Sequence, residues 1–271
     1  MASFPSTPTA RNVDLDVPGI GTITVSYSDQ GSGRTFLLLH GGGGPLTVAA
    51  FGGVLATERG ARVIIPVHPG FGGTSRPDGL GSIRQLAAVY VTLLDALDRH
   101  DVTVIGNSIG GWIAAEIALL ARPRVAGVVL VDAVGIEVEG HPVADFFSLS
   151  FPELARLSYY APDAFRIDPS TLSPEQLAVM AGNRAALAVY SGEFAMADPS
   201  LRERLASVTS PTLVVWGDSD GIVDPAYGRA YAAAIPGAEF EELEHVGHLP
   251  QLEAPQRLLD SVWRFASRNP L

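Results

Sequence analysis

The sequence predicts an α/β fold in which helices cover both faces of a mostly parallel, open sheet. Short, almost wholly apolar runs recur along the 271 residues, as expected for strands buried on both faces. Longer segments with apolar residues at helical spacing separate these runs. The alternation stops once, between Val134 and Pro211, where helix and turn signals replace the strand pattern. Together these observations indicate a sheet with one helical insertion.

The elements follow in a regular order. Residues 13–17 and 22–27 flank the turn sequence Pro-Gly-Ile-Gly and are predicted to form a hairpin. Five buried strands are predicted at residues 36–39, 63–67, 102–105, 128–131 and 213–216. Helices are predicted at residues 83–99, 111–121, 225–234 and 255–268. Right-handed crossovers between parallel strands would then place helices on both sides of the sheet.

The interruption of this pattern predicts a cap. Residues 135–210 hold 8 of the 21 aromatic residues of the chain, together with turn signals at Pro142, Pro152, Pro162, Pro169 and Pro174. An insertion of this size between two core strands is more often a lid than a second folding unit. We therefore expect a core built from residues 1–134 and 211–271, and a helical cap, residues 135–210, inserted after the sixth strand.

Composition excludes several chemistries. All 18 basic residues are Arg, and the chain contains neither Lys nor Cys. Schiff-base enzymes, lysine-bound pyridoxal phosphate and phosphate loops with a lysine are thereby ruled out. Thiol nucleophiles, disulfides, iron–sulfur clusters and zinc sites with Cys ligands are ruled out as well. The absence of Cys also fits a reducing cytoplasm, where we expect the protein to reside.

Charge and hydropathy point to a small-molecule substrate as the partner. The net charge of −11 disfavours nucleic acid and anionic membranes. Residues 1–11 contain no apolar stretch of signal-peptide length. Residues 36–57 are uncharged and long enough to cross a membrane, but glycines and Pro45 interrupt them. We interpret this stretch as a strand followed by a loop.

The first chemical motif is Gly106-Asn107-Ser108-Ile109-Gly110, which matches Gly-x-Ser-x-Gly. A buried-strand run precedes it and a helical pattern follows, so Ser108 is predicted to lie on a tight strand-to-helix elbow. Small flanking residues are needed there because the neighbouring backbone passes close by. The alternative is a glycine-rich turn whose serine only caps a helix. We predict that Ser108 is a nucleophile.

A second motif, His40 followed by Gly41–Gly44 and Pro45, comes after the apolar run 36–39. Glycines leave backbone N–H groups exposed, and acyl transfer needs such donors where negative charge develops on the substrate oxygen. The predicted oxyanion hole consists of the N–H groups of Gly42 and Ile109. A flexible loop is the alternative reading of this motif.

A nucleophilic serine also needs a general base, and the base needs an acid that fixes its tautomer. Both occur near the C-terminus: the sequence Trp-Gly-Asp-Ser-Asp ends at Asp220, and His-Val-Gly-His ends at His248. The order Ser, acid, His is that of the α/β-hydrolases. Rival residues exist for both roles. Candidate acids are Asp132, Asp218, Asp220 and Asp224, and candidate bases are His245 and His248, while His40 and His68 are interpreted as orienting or structural and His100 and His141 as surface residues.

The chain resembles the α/β-hydrolase superfamily, in its serine hydrolase branch, from about residue 13 to residue 268. The resemblance rests on the HGG loop, HPGFGGTSRP at residues 68–77, GNSIGG, VVWGDSDGIV and GHLPQLEAP. It implies an acid three residues after the glycine that ends the strand, which is Asp220. It implies the histidine preceded by glycine as the base, which is His248. No cofactor and no metal are implied, and His245 and His248 lack the His-Glu-x-x-His pattern of zinc helices.

The substrate is less closely defined. Cap aromatics and Trp112 suggest a moderately apolar acyl or aryl compound, with a carboxylic ester as the first choice. The predicted contacts are Gly41, Asn107, Trp112, Phe146, Phe147, Ile222 and Leu249.

Other functions compete with ester hydrolysis. The HGGGG stretch and Asn107 are similar to carbon–carbon hydrolases that act on ring-cleavage (dienol keto acid) products. Leu249 departs from their usual Trp after the catalytic His, and their cap Arg would correspond to Arg184. Cofactor-free haloperoxidases share the triad, and a non-catalytic ligand receptor would keep the fold. Dehalogenases and most epoxide hydrolases of this fold use Asp as nucleophile, so Ser108 disfavours both.

Overall fold

The centre of the fold is a single eight-stranded sheet. It is seen in a computed structural model that describes residues 10–120, 123–165, 168–192 and 196–269. The strands of this described part are β1 (Arg11–Val17), β2 (Gly21–Gly31), β3 (Thr35–Leu39), β4 (Arg62–Pro66), β5 (Val102–Asn107), β6 (Val125–Val131), β7 (Thr212–Gly217) and β8 (Glu239–Leu243). Their order across the sheet is β1-β2-β4-β3-β5-β6-β7-β8.

Most of the sheet is parallel, as predicted. The opening hairpin β1–β2 is antiparallel, and β2 also pairs antiparallel with β4. All five remaining neighbour pairs are parallel. Every residue of β5, β6 and β7 is buried, which explains why their sequences are continuous apolar runs rather than alternating ones. The strand β8 lies at the edge, is rich in Glu and was not among the predicted strands.

Helices cover both faces of the sheet. They are α1 (Leu46–Arg59), α2 (Ile83–Ala96), α3 (Ile109–Leu120), α4 (Phe151–Ser158), α5 (Pro174–Ser191), α6 (Leu201–Arg204), α7 (Pro225–Ala234), α8 (Pro250–Glu253) and α9 (Pro255–Arg268). Apolar residues of α2, α3 and α7 pack in one core cluster, while those of α1 and α9 pack in a second cluster. This arrangement confirms the predicted fold class.

Local sequence signals explain where several helices begin. The Ser82 side chain accepts the N–H of Gln85 at the start of α2, and Asp224 accepts the N–H of Tyr227 at the start of α7. Ser173 forms a capping box with Gln176 before α5. The helices α7 and α9 have the predicted bounds, and α2 ends three residues before the predicted end.

One prediction in this region is wrong. The stretch after β3 was interpreted as a loop, but residues 46–59 form the helix α1. Its glycines suggested a break, whereas Gly52 permits close packing: a Cβ there would lie 2.6 Å from Cδ1 of Ile65 on β4. Glycine inside this helix therefore serves contact between helix and sheet rather than chain reversal.

The segment between β6 and β7 is helical. It contains α4, α5, α6 and short 3₁₀ turns at Pro162–Ala164, Pro169–Thr171 and Leu205–Ser207. Among its described residues, the one β contact is an isolated bridge between Gly135 and Ala197. We call residues 135–210 the insertion; its status as a separate cap unit stays a prediction.

No helix in the described ranges combines the length and the apolar composition needed to cross a membrane.

Candidate active site

The sheet order brings the chemical motifs of distant sequence regions to one edge. His40 follows β3, Ser108 follows β5, Asp132 follows β6, Asp220 lies just beyond β7, and His248 lies beyond β8. These five strands are neighbours and parallel, so their carboxyl ends meet along the same side of the sheet. Crevices at such edges are where open α/β sheets bind ligands.

Ser108 occupies a strained position at this edge. Its φ angle of 57° lies in the left-handed region, which non-glycine residues rarely adopt. Its backbone N–H donates to the carbonyl of Val131 at 3.0 Å. The flanking glycines are required sterically, because a Cβ on Gly106 would overlap the carbonyl of Gly110, and one on Gly110 would overlap the carbonyl of Leu39. The strand therefore turns directly into α3 at the serine.

Backbone donors surround the same point. A Cβ on Gly41 would lie 3.2 Å from the Cβ of Ser108, so the glycine loop after β3 approaches the serine closely. Within the described part of the chain, the N–H groups of Gly42 and Ile109 have no hydrogen-bond acceptor. Two unoccupied donors beside a nucleophile are what an oxyanion hole needs. The side chain of Leu187, on α5, covers Gly42.

Asp220 and His248 form a buried pair. Oδ2 of Asp220 lies 2.7 Å from Nδ1 of His248, with the carboxylate fully buried and the imidazole 8% exposed. An ionised carboxylate can only accept, so Nδ1 carries the proton and Nε2 is the acceptor. The other oxygen, Oδ1, accepts the N–H groups of Ile222 and Val223 at 2.8 and 3.1 Å. The histidine thus has the tautomer of a general base.

The rival acids have other partners. Asp218 accepts the hydroxyl of Ser219 and the N–H of Val246. Asp224 caps α7 and lies 2.6 Å from Nδ1 of His141. Asp132 accepts the N–H of Gly217 at 2.9 Å and is fully buried. Of the four candidate acids, Asp220 is the one hydrogen-bonded to His248.

His40 and His68 are buried beneath the glycine loop and form a network with Tyr90. Nδ1 of His40 donates to the carbonyl of Gly41 at 2.8 Å, and its Nε2 accepts the backbone N–H of His68 at 3.1 Å. Nε2 of His68 donates to the carbonyl of His40, and its Nδ1 accepts the Tyr90 hydroxyl at 2.5 Å. Burial lowers the pKa of His40 to about 4, although the hydrogen bond to Gly41 opposes this shift. Burial, followed by the proximity of His40, lowers the pKa of His68 well below its ordinary value.

The other histidines lie elsewhere. His245 is exposed, with its ring 5.0 Å from that of Tyr160. His100 is exposed and lies 3.1 Å from Asp98. His141, which was expected at the surface, is partly buried against Asp224.

Asn107, a predicted substrate contact, points into the protein. Its Nδ2 donates to the carbonyls of Val131 and His248 at 3.2 and 2.9 Å, and its Oδ1 accepts from Gln251 at 3.1 Å. These contacts leave no N–H of the side-chain amide for a substrate. Asn107 therefore fixes the loop that carries His248.

Trp112, one turn into α3, is 5% exposed and packs against Gly135. Of the predicted substrate contacts, Trp112 lines a cavity of about 220 Å³. The described residues form this cavity between the start of α2, Trp112 and the end of α5. Ser82, Arg84, Tyr190 and Asp198 also line this cavity. Among the described residues, the indole N–H of Trp112 has no acceptor.

The remaining predicted contacts lie around the insertion. Phe146 and Phe147 are partly buried, with ring centroids 5.6 Å apart, and the Arg184 guanidinium lies within 6 Å of both rings. One Nη of Arg184 donates to the carbonyl of Phe147. Ile222 is buried beside Asp220, and Leu249 is partly buried after His248.

Contacts from the insertion that sequence reasoning missed hold the site loops. The carbonyl of Ser158 accepts the N–H of His248 at 2.8 Å, and that of Leu157 accepts the N–H of Gly221 at 2.8 Å. On α5, the buried Asn183 accepts the N–H of Gly72 at 2.8 Å and donates to the carbonyl of Gly43 at 3.2 Å. No sequence motif identified these residues, because their partners are distant along the chain.

A further missed residue is Glu253. Its carboxylate accepts the N–H of Gly247 at 2.6 Å and those of Tyr160 and Ala161 at 3.2 and 3.1 Å. It therefore ties the loop that carries His248 to the insertion. Its position in the GHLPQLEAP motif was a signal, but the motif alone gave no role for it.

The donor set does not fit a metal. Asp132, Asp220 and His248 each place one ligand-type atom within 4.8 Å of the others. Backbone N–H groups already occupy one oxygen of each carboxylate, and the imidazole N–H occupies Oδ2 of Asp220. Only Oδ2 of Asp132 and Nε2 of His248 remain open among these residues, whereas calcium takes six to eight oxygen ligands and zinc takes at least three protein ligands. We therefore assign no metal to this cluster.

Comparison with known proteins identifies relatives over most of the chain. The chain is 29% identical over 257 residues to a 2-hydroxymuconate semialdehyde hydrolase of Pseudomonas putida, with 88% of each protein covered. It is also 29% identical over 253 residues to the dihydrolipoyllysine-residue acetyltransferase component of an acetoin cleaving system of Pseudomonas putida. That match covers 88% of this chain and 64% of the longer protein, so the chain spans less than two thirds of that relative.

Solved structures give the same fold. A thermophilic esterase from Thermogutta terrifontis superimposes with a TM-score of 0.74 at 25% identity, covering 95% of this chain and 98% of the other. The sequence model described as the alpha/beta hydrolase family matches residues 36–261, which include Ser108, Asp220 and His248. The chain belongs to the α/β hydrolase family, and the proteins that it resembles over most of both chains include hydrolases.

Proposed function

We propose that the protein is a serine hydrolase that cleaves a carboxylic ester of a moderately apolar small molecule. The observation that carries the proposal is the buried 2.7 Å contact between Asp220 and His248, at the sheet edge where Ser108 sits in a strained elbow. In this proposal Ser108 is the nucleophile, His248 the general base and Asp220 the acid that orients it.

The reaction has two acyl-transfer steps. His248 Nε2 takes the proton of the Ser108 hydroxyl as Oγ attacks the ester carbonyl, and then gives it to the departing alcohol. Water attacks the resulting acyl-serine with the same assistance and releases the acid. Asp220 stabilises the imidazolium that forms in each step.

Backbone amides stabilise the tetrahedral intermediates. The free N–H groups of Gly42 and Ile109 are the proposed donors to the oxyanion. One such donor typically lowers the activation barrier by about 3 to 4 kcal/mol. Because both are backbone groups, their contribution depends on the position of the loops rather than on side-chain identity.

The walls of the site support an apolar substrate. Leu187 covers Gly42, and three of the predicted substrate contacts, Trp112, Phe146 and Phe147, are aromatic. The relation to an esterase structure at 25% identity also favours an ester.

A carbon–carbon hydrolase is the second candidate function. The observation in its favour is the 29% identity, over 88% of both chains, to a 2-hydroxymuconate semialdehyde hydrolase. The Arg184 guanidinium beside Phe146 and Phe147 adds a positive charge to the insertion, which would suit an acidic substrate. Leu249, in place of the usual Trp, favours the ester.

Removal of the nucleophile tests the mechanism. We expect Ser108→Ala to lose more than about a thousandfold in kcat and to lose labelling by a fluorophosphonate probe, while the folded structure is retained. The matched control is Ser170→Ala, since Ser170 is exposed in the insertion and bonds to Asp168. Wild-type labelling and turnover in Ser108→Ala would disprove the assignment of the nucleophile.

A substrate panel separates the two candidate reactions. We would compare kcat/KM for p-nitrophenyl esters of graded acyl length with kcat/KM for a dienol keto acid ring-cleavage product. The ester proposal expects the highest value for a short or medium acyl ester. A preference for the dienol compound would instead establish the carbon–carbon hydrolase.

A further inference from the structure

Asp132 is a buried carboxyl that the proposed triad does not use. It follows β6, between the ends of β5 and β7, and is completely buried. Its Oδ1 accepts the N–H of Gly217 at 2.9 Å, but Oδ2 has no hydrogen-bond partner among the described residues. A buried oxygen without a donor is costly for an ionised carboxylate.

The neighbours of Asp132 make ionisation still less favourable. Oxygen atoms of Asp132 and Asp220 and a ring nitrogen of His248 all lie within 4.8 Å of one another. Glu253 contributes a further negative charge at longer range. With His248 neutral, two ionised carboxylates would place two negative charges in a buried cluster without a cation. Like charges this close cannot both persist, so one carboxyl must hold a proton.

Hydrogen bonds decide which carboxyl holds it. Asp220 accepts three N–H groups, from Ile222, Val223 and His248, and each of them favours the ionised form. Asp132 accepts one, from Gly217. The proton therefore belongs to Asp132, where its O–H can donate to the neighbouring carboxylate.

We propose that Asp132 is a positioning residue that stays protonated and donates a hydrogen bond to the Asp220 carboxylate, so that a carboxyl pair with one shared proton, rather than a single acid, orients His248. This inference rests on the proposed function of the triad. Burial, followed by the negative charge of Asp220, raises the pKa of Asp132 well above its ordinary value, in agreement with the geometry.

The pair would adjust the strength of the base. A proton donated to Asp220 spreads the negative charge that faces His248, so the imidazolium is stabilised less than it would be by an unshared carboxylate. Asp132 therefore acts on the rate through Asp220, without touching the substrate.

Infrared spectroscopy tests the proton directly and does not depend on turnover. At pH 7.5, the difference spectrum of wild type minus Asp132→Asn should contain the carbonyl-stretch band of a protonated carboxylic acid. Labelling the aspartates with ¹³C should shift this band in the wild-type protein, which keeps the test valid even if the variant folds poorly. A wild-type spectrum without a protonated aspartate band overturns the proposal.

The pH profile of kcat/KM tests the consequence for the base. Asp132→Asn retains a donor for Asp220, so we expect kcat/KM within about threefold of wild type and an acid limb at the same pH. If Asp132 were ionised, the same substitution would remove a negative charge near His248 and move the acid limb about 1 to 3 pH units lower. That second outcome would overturn the proposal.

The isosteric Asp132→Leu provides the contrasting variant. It removes the donor, leaves Asp220 with its full charge and should move the acid limb to higher pH, with kcat falling more than KM changes. An acid limb at the wild-type pH in this folded variant would contradict the proposal.

Loss of activity on chelation, restored by a divalent cation, would assign the cluster to a metal instead. If the infrared band were absent while Ser108 still reacted normally, the proposal for Asp132 would fail and the proposed triad would stand. The two proposals are therefore tested separately.

Discussion

At the scale of single residues, the buried histidines beneath the glycine loop determine how the protein responds to acid. His40 and His68 are fully buried and hydrogen-bonded as neutral rings, and none of their partners in the described part of the chain is a carboxylate. Their hydrogen bonds hold the backbone of His40 and Gly41, which leads to the proposed oxyanion donor Gly42. Protonation of either ring would remove an acceptor from this network.

We therefore predict that stability falls between about pH 6.5 and pH 4. The unfolded chain binds a proton near the ordinary histidine pKa of about 6.5, whereas burial lowers the pKa of folded His40 to about 4. Over this range the unfolded state holds more protons, so the free energy of unfolding decreases as the pH falls. His40 alone accounts for about 3 kcal/mol at most, and the pKa of His68 is lowered in the same direction.

Urea unfolding at a series of pH values measures this effect. In His40→Asn the loss of stability between pH 6.5 and 4 should be smaller than in wild type, whatever the stability of the variant at neutral pH. The exposed His100→Asn is the matched control and should leave the slope unchanged. Equal slopes for wild type and His40→Asn would show that His40 is not the group responsible.

The sequence predicted which residues form the candidate site better than it predicted which residues contact one another. Glycine spacing and chain order pointed to Ser108, and the family resemblance to Asp220 and His248. The network of His40, His68 and Tyr90 was beyond sequence reasoning, because its members come from three separate elements. Asp132 appeared only as a rival acid, since its effect depends on a distance of a few ångströms from Asp220.

At the scale of elements, the elbow between β5 and α3 depends on glycine for steric reasons. We predict that Gly106→Ala destabilises the protein by more than about 3 kcal/mol, because its Cβ would overlap the backbone of Gly110. The matched control is Gly53→Ala on α1, where a Cβ meets nothing within 4 Å. Alanine is favoured inside a helix, so that variant should gain about 0.5 to 1 kcal/mol.

Thermal or urea unfolding of the two variants checks this prediction. If both glycine substitutions changed stability by the same amount, the close approach at the elbow would not be what constrains residue 106.

Elements with a strong periodic signal could be predicted, and those that depend on tertiary contact could not. The buried strands and α7 and α9 followed from local pattern and start signals. The helix α1 was missed because Gly52 reduces its local helix preference, whereas in the structure this glycine allows α1 to approach Ile65 on β4. The edge strand β8 was not predicted because its Glu-rich sequence lacks the apolar run of the central strands.

At the scale of the whole molecule, an ionic cluster around the buried Glu116 joins the end of the insertion to the core. Arg204 donates two hydrogen bonds to Glu116 on α3, at 2.8 and 2.5 Å, and a third to Asp198. Arg84, on α2, also binds Asp198. The Glu116 side chain is only 3% exposed, and Arg204 is the residue that donates hydrogen bonds to both of its carboxylate oxygens.

We predict that Arg204→Ala destabilises the protein by about 3 kcal/mol or more, because it leaves Glu116 buried with its main cation removed. The matched control is Arg268→Ala, whose pair with Glu239 has both side chains about half exposed. That pair should contribute less than about 1 kcal/mol. Urea unfolding of both variants is the measurement, and equal effects would argue against a structural role for the cluster.

The contacts between the insertion and the site loops differ in how much they depend on side chains. Leu157 and Ser158 hold the loops of Asp220 and His248 through main-chain carbonyls, which any residue could supply. Glu253 belongs to the core and accepts hydrogen bonds from main-chain N–H groups of the insertion. Asn183 alone, among these attachments, requires a particular insertion side chain. Most side chains of the insertion could therefore change without loss of its hydrogen bonds to these loops. A new substrate range would be accessible by substitution within the insertion, as long as Asn183 is kept for the loops, Tyr190 for the carbonyl of Pro69 and Arg204 for Glu116.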